Sequence, residues 1–177
     1  PDHYGFNGVN AIFEDSKSTV WFGTYQGLYV YDELTEDFIQ ITKEQVLSIY
    51  EDSQSTLWIG TWQGLEKYDD ETKEFYVYQK NPADPNSLSH DIIHTIFEDS
   101  KKNLWVGTAN GLNLLDRRTD KFQKYFYASD DPSSLSDNQV SSVFEDSKGN
   151  LWIGTGTQGE YARNGGLNRF IPPNPSK

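Results

Sequence analysis

Four pairs of adjacent carboxyls are the first residues of this chain that could do chemistry: Glu14-Asp15, Glu51-Asp52, Glu98-Asp99 and Glu145-Asp146. Carboxylate oxygens are the ligands hard divalent cations take, so an acidic ring binding a cation is one reading. The other is hairpin turns carrying solvated charge. Each pair precedes a serine, and Asp and Ser side chains bond nearby backbone amides in turns. The pairs recur at every copy and none has an EF-hand spacing, so the turn reading is favoured and neither a metal site nor a cofactor is expected. The histidines are His3, His90 and His94, and the last two flank a strand start, a structural or exposed setting. No Gly-x-Ser-x-Gly, His-Glu-x-x-His or phosphate-loop pattern occurs. Glycoside hydrolysis needs two carboxyls at a set separation, and acid pairs this frequent single none out. No catalytic residue is assigned.

A second set of residues suits recognition instead. Three short loops read Tyr25-Gln26, Trp62-Gln63 and Ala109-Asn110, each lying between a Thr and a Gly. The fourth loop runs from 156 to 165, eight residues longer, and contains Gln158, Glu160, Tyr161, Arg163 and Asn164. Irregularity within a repeat is where function concentrates. Aromatic faces stack on apolar ring patches, while amides and guanidinium pair with hydroxyls or carboxylates. Tyr25, Gln26, Trp62, Gln63, Asn110, Tyr161, Arg163 and Asn164 are therefore the candidate ligand-binding residues, for a small glycan or a peptide. The competing reading is that the long loop merely packs over a junction.

These residues are positioned by a repeat. Ile12-Phe13-Glu14-Asp15-Ser16 recurs at Ile49 to Ser53, Ile96 to Ser100 and Val143 to Ser147. Each is followed by a tryptophan cluster, Val20-Trp21-Phe22-Gly23-Thr24 and its counterparts around Trp58, Trp105 and Trp152, at spacings of 37, 47 and 47 residues. That is the period of a four-stranded propeller blade. In the second copy, strands are expected at Val46 to Glu51, Leu57 to Thr61, Gly64 to Tyr68 and Phe75 to Tyr78, with turn chemistry between them. The second strands are apolar on both faces, which requires cover on both sides, as stacked blades provide. Trp21, Trp58, Trp105 and Trp152 should be buried between blades and Trp62 should not. Gly60 and its equivalents should let a neighbouring backbone approach. No helical period is found.

The fold class expected is all-β: a β-propeller array of four repeats of four-stranded antiparallel blades, at about 8–42, 45–80, 91–128 and 138–171. The last blade lacks its outer strand, because Ile171-Pro172-Pro173 cannot donate an interior ladder. The sequence starts at Pro1, so the natural chain is read as processed, trimmed or represented in part. Lacking that outer strand, the array is read as part of a larger propeller or a half that closes by self-association, with a closed four-blade monomer the minority reading.

The pattern of Phe-Glu-Asp-Ser, Leu-Trp-Ile-Gly-Thr, Gly-Leu, Tyr-Asp and Thr-x-x-Phe resembles the two-component-regulator propeller repeat. The linkers Asn81 to Ser89 and Ser129 to Ser136 match that family's habit. The resemblance implies an extracytoplasmic sensor domain of a bacterial hybrid histidine kinase, hence a periplasmic or extracellular recognition module rather than an enzyme. The rivals are a structural protein whose open blades join between chains and, behind it, a propeller lyase or hydrolase. The net charge of -12 disfavours nucleic acid, which needs concentrated Lys and Arg, and contact with an anionic membrane. With no cysteine there is no disulfide and no thiolate site.

Overall fold

A computed structural model describes residues 5–6, 8–156 and 165–170. It contains four antiparallel sheets and, among the described residues, no helix. Blade one is β1 (Val9–Glu14), β2 (Val20–Thr24), β3 (Gly27–Asp32) and β4 (Asp37–Thr42). Blade two is β5 (Val46–Glu51), β6 (Leu57–Thr61), β7 (Leu65–Asp69) and β8 (Glu74–Tyr78). Blade three is β9 (Ile93–Glu98), β10 (Leu104–Thr108), β11 (Gly111–Asp116) and β12 (Lys121–Tyr125). Blade four has three described strands, β13 (Val140–Glu145), β14 (Leu151–Thr155) and β15 (Leu167–Phe170). Each sheet is a simple meander, the arrangement of propeller blades.

The inner strands lie side by side, β1 against β5, β5 against β9 and β9 against β13. Among the described residues β13 has no comparable packing on β1, so the array is open. The core sits between blades. One cluster joins Trp21 and Leu28 of blade one to Val46, Ile49, Leu57 and Ile59 of blade two. A second joins blades two and three around Trp58, Ile93 and Leu104, and a third joins blades three and four around Trp105, Val140 and Ile153. The second strands of the two middle blades, β6 and β10, each feed both neighbouring junctions, which explains why they are apolar on both faces.

The glycine of that strand serves a different purpose from the one its sequence suggests. A Cβ on Gly23, Gly60 or Gly107 would meet the side chain of Val46, Ile93 or Val140 at 2.6, 2.8 and 2.7 Å respectively. What approaches is the first side chain of the next blade, not its backbone. The fourth equivalent, Gly154, has no such incoming side chain within 4 Å.

Trp21, Trp58 and Trp105 are buried, as their shared place in the repeat predicts. Trp152 is only half-buried, a correction whose cause is the same open end: no described blade covers its far side.

Candidate functional site

At one end of the blades the acidic pairs are structural. Asp52 accepts the Trp58 indole N–H at 2.7 Å and the amides of Gln54 and Thr56 at 2.9 and 3.0 Å. Asp15, Asp99 and Asp146 repeat the arrangement on Trp21, Trp105 and Trp152 at 2.8, 2.9 and 2.9 Å. The aspartate thus closes its hairpin and holds the tryptophan's one polar atom. Burial pushes the Asp52 carboxyl up, but the Trp58 indole, Arg117 and the two amides together hold it below the usual carboxylate range.

In three of the four pairs the glutamate reaches back one blade. Glu51 accepts the backbone N–H and the hydroxyl of Ser16, both at 2.7 Å. Glu145 does the same to Ser100 at 2.6 and 2.8 Å, and Glu98 takes the Ser53 amide at 2.9 Å. Arg117, in the turn after β11, adds a clamp between blades two and three. It donates to Asp52 and to Glu98, each at 2.7 Å. Apart from Glu14, the acidic pairs are thereby accounted for as turn and junction chemistry.

The opposite end carries the candidate recognition residues. Trp62 is 50% exposed and Tyr25 is 55% exposed, against three buried tryptophans of the array. The loop backbones are fixed, because Gln26, Gln63 and Asn110 each donate an amide to the preceding threonine hydroxyl at 3.0, 3.0 and 3.1 Å. The Gln40 amide side chain holds the Gln26 carbonyl and Gln79 holds the Gln63 carbonyl, while Gln63 itself donates to Glu44. Tyr25, Gln26, Trp62, Gln63 and Asn110 therefore sit at equivalent places on three successive blades. No hydrogen bond or ring contact joins these three loops to one another among the described residues. Tyr161, Arg163 and Asn164 lie outside the described residues.

Two further groups near this end are buried, and the first of them was not singled out by the sequence. Glu66, on β7, is only 5% exposed and has no hydrogen-bond partner among the described residues. Burial, with a smaller push from Glu44, raises its carboxyl to about 7. Its signal was present: copies three and four carry Asn113 and Asn168 at that place. The second is His94, whose Nε2 is buried without a partner. Burial first, then His90, lowers its basicity. His90 accepts the Ile92 amide through Nδ1 at 3.1 Å.

The Glu66 carboxyl makes a pH prediction. Its folded value lies above its ordinary one, so its neutral form is favoured by folding and stability is lost as pH rises from 4.5 through about 7. Glu66→Gln should remove that loss, making the variant more stable than the parent at pH 8 by up to about 3 kcal/mol. Denaturant midpoints at acid and alkaline pH check this, and a parent whose stability does not fall across that range contradicts it.

The comparison with protein families gives four matches to the two component regulator propeller, at residues 3–26, 40–63, 87–110 and 134–157. The comparison with curated proteins finds no match. Among solved structures, the chain is 24% identical to the extracellular domain of BT4673 from B. thetaiotaomicron, with a TM-score of 0.77 over 94% of this chain and 22% of that one. It is 26% identical to the extracellular domain of BT3049, assigned to a hybrid two component system of the same organism, with a TM-score of 0.65 over 95% of this chain and 29% of that one. Virginiamycin B lyase from Staphylococcus aureus shares the fold at 16% identity, with a TM-score of 0.62 over 99% of this chain and 59% of that one. The chain thus spans less than a third of the length of the first two. The four family matches cover more than half of the sequence, and the chain belongs to the two component regulator propeller family.

Proposed function

We propose that the chain is a recognition module of an extracellular or periplasmic sensor, binding a small glycan or a peptide at the loop end of its blades and performing no chemistry of its own. The observation that carries this reading is the exposure of Trp62 and Tyr25 on rigid loops of an array that buries Trp21, Trp58 and Trp105. A large aromatic face held in water by a fixed backbone is pre-organised for stacking, which lowers the entropy lost on binding. The similarity to extracellular domains of BT4673 and BT3049 supports the location and the sensor role. Arg163, Tyr161 and Asn164 are added to the site from the sequence alone.

A glycan and peptide screen tests it. Trp62→Ala should weaken a ligand found there at least about tenfold while changing stability by less than about 1 kcal/mol. A ligand whose affinity survives both Trp62→Ala and Arg163→Ala binds elsewhere.

One observation favours a second role, the joining of blades between chains or with further blades of the same protein. Ile12 is 67% exposed, whereas its equivalents Ile49, Ile96 and Val143 are all under 10%. Phe144, at the other end, is 61% exposed. Glu14 and Ser147 stand where the glutamate-to-serine bonds of the other junctions form, and among the described residues neither has such a partner. Both end faces therefore present the chemistry of a blade junction.

A further inference from the structure

Two neighbouring junctions carry the same pair of carboxylates, and one of them shows what such a pair holds. Between blades two and three, Arg117 donates Nη1 to Asp52 Oδ2 and Nη2 to Glu98 Oε1, each at 2.7 Å. Between blades one and two the repeat puts Asp15 and Glu51 in those places and Asp70 in that of Arg117. The setting of the two carboxylates is retained. Asp15 Oδ2 accepts the Trp21 indole N–H at 2.8 Å, as Asp52 Oδ2 accepts that of Trp58 at 2.7 Å. Glu51 accepts the Ser16 amide at 2.7 Å, as Glu98 accepts that of Ser53 at 2.9 Å. What is lost is the guanidinium. Asp70 turns instead to Lys17 and Lys73, both exposed, at 2.5 Å each. No lysine or arginine forms an ion pair with Asp15 or Glu51 among the described residues.

A cleft of about 640 Å³ opens at this junction, lined by Asp15, Glu51 and Asp70 together with Trp21, Ile41 and Tyr68. The Trp21 and Tyr68 rings meet edge-on at 5.4 Å. The Lys73 ammonium stands 5.9 Å from the centre of the Tyr68 ring, so this aromatic wall already takes a cation on its face. Lys67 also lines the cleft and faces the Asp69 charge. With Asp69 included, four carboxylates oppose three ammonium groups in the lining. The surplus is negative, and it falls on the pair that lacks an ion-pair partner.

We infer that this cleft binds a guanidinium-bearing ligand, its fork bridging Asp15 and Glu51 as Arg117 bridges Asp52 and Glu98 and its stem lying along Trp21 and Tyr68. Each carboxylate oxygen has two lone pairs, so the bonds to Trp21 and Ser16 leave room for these donors, as the bonds to Trp58 and Ser53 do beside Arg117. A planar fork suits two carboxylates on different blades, whereas an ammonium is a compact and strongly hydrated point charge. The site lies at the acidic end of the blades, away from Trp62, so it stands or falls independently of the function proposed above.

The probes are propylguanidinium and acetyl-Gly-Arg-Gly amide, which carry the group without and with a peptide backbone, titrated into the whole chain and followed by NMR. Saturable shifts of the Trp21 indole and Ser16 amide are expected, with the Trp62 indole unmoved. The tighter of the two probes names the source of the group. Replacing arginine in the peptide by citrulline, a neutral urea of the same shape, should weaken binding about 10- to 100-fold, the worth of a charge-assisted hydrogen bond. Glu51→Gln should weaken it by a similar factor. Asp70→Arg restores the residue of the neighbouring junction, so it should fill the site from within and abolish the ligand shifts. Absence of saturable shifts overturns the proposal. So does equal binding of the citrulline peptide, or binding that Asp70→Arg leaves unchanged.

Discussion

Replacing Trp105 with alanine should lower the stability of the fold by about 3–5 kcal/mol, the usual loss for a buried aromatic in a packed core. Trp105 is buried at the junction of blades three and four with Val140, Leu151 and Ile153. Its ring also meets Phe170 edge-on at 5.0 Å. Removing it opens a cavity between two blades and leaves Asp99, which accepts the indole N–H at 2.9 Å, short of a donor. The asymmetry with Trp62 makes the test specific, since that ring stands half in water. Urea midpoints for the two variants decide it: a large shift for Trp105→Ala and a small one for Trp62→Ala. Equal midpoints would contradict the assignment of Trp105 to the blade junction.

Arg117→Ala should be comparably damaging, by about 3–5 kcal/mol at neutral pH, because it strands two buried carboxylates. The Asp52 side chain is fully buried and that of Glu98 nearly so, and Arg117 bridges both at 2.7 Å. Asp52 is held below its ordinary range, so its contribution is present above the unfolded value and fades as pH falls through the folded one. In the variant, neutral pH leaves charge without a counter-ion, and acidification relieves it. The deficit of Arg117→Ala should therefore be largest near neutrality and shrink in mild acid, with Arg117→Lys recovering part of it. A deficit that is constant with pH would assign the effect to lost packing by the arginine stem instead.

The repeat made the architecture legible in the sequence. Four tryptophans at the same place in four copies predicted four equivalent blades, and the strands follow. Legibility failed where an effect depends on what lies next to a blade rather than within it. Trp152 has the same sequence context as Trp105 yet is half-exposed, because no described blade covers its far side. Gly60 was correctly read as a close approach, but the approaching atoms belong to Ile93, forty-seven residues before the equivalent Val140. The glutamate-to-serine bonds were hidden for the same reason. Glu and Ser of one motif invite a local turn reading, while the partner of Glu51 is Ser16, a full blade earlier. Arg117 gave no signal, since its turn position is Asp70 in blade two and Glu33 in blade one.

Of the candidate site, the loop end was legible and the burial of Glu66 was not. Tyr25 and Trp62 stand out as aromatic residues between a Thr and a Gly, where the repeat has no packing use for them. Glu66 looks like an ordinary solvent-facing strand residue between Leu65 and Lys67. Only the position of the blade one face makes it buried.

The proposed joining of blades rests on an array whose two end faces are left uncovered among the described residues. Ile12 and Phe144 leave apolar surface in water on those faces, at roughly 25 cal/mol for each Å² of apolar area. Against a net stability of only about 5–15 kcal/mol for a domain of this kind, cover by another blade is strongly favoured. Sedimentation velocity of this chain over a wide range of concentration tests this most directly. Concentration-dependent association is expected, weakened by Ile12→Asp and by Phe144→Asp, which place charge on the two end faces. A compact monomer whose sedimentation does not change with concentration would contradict it.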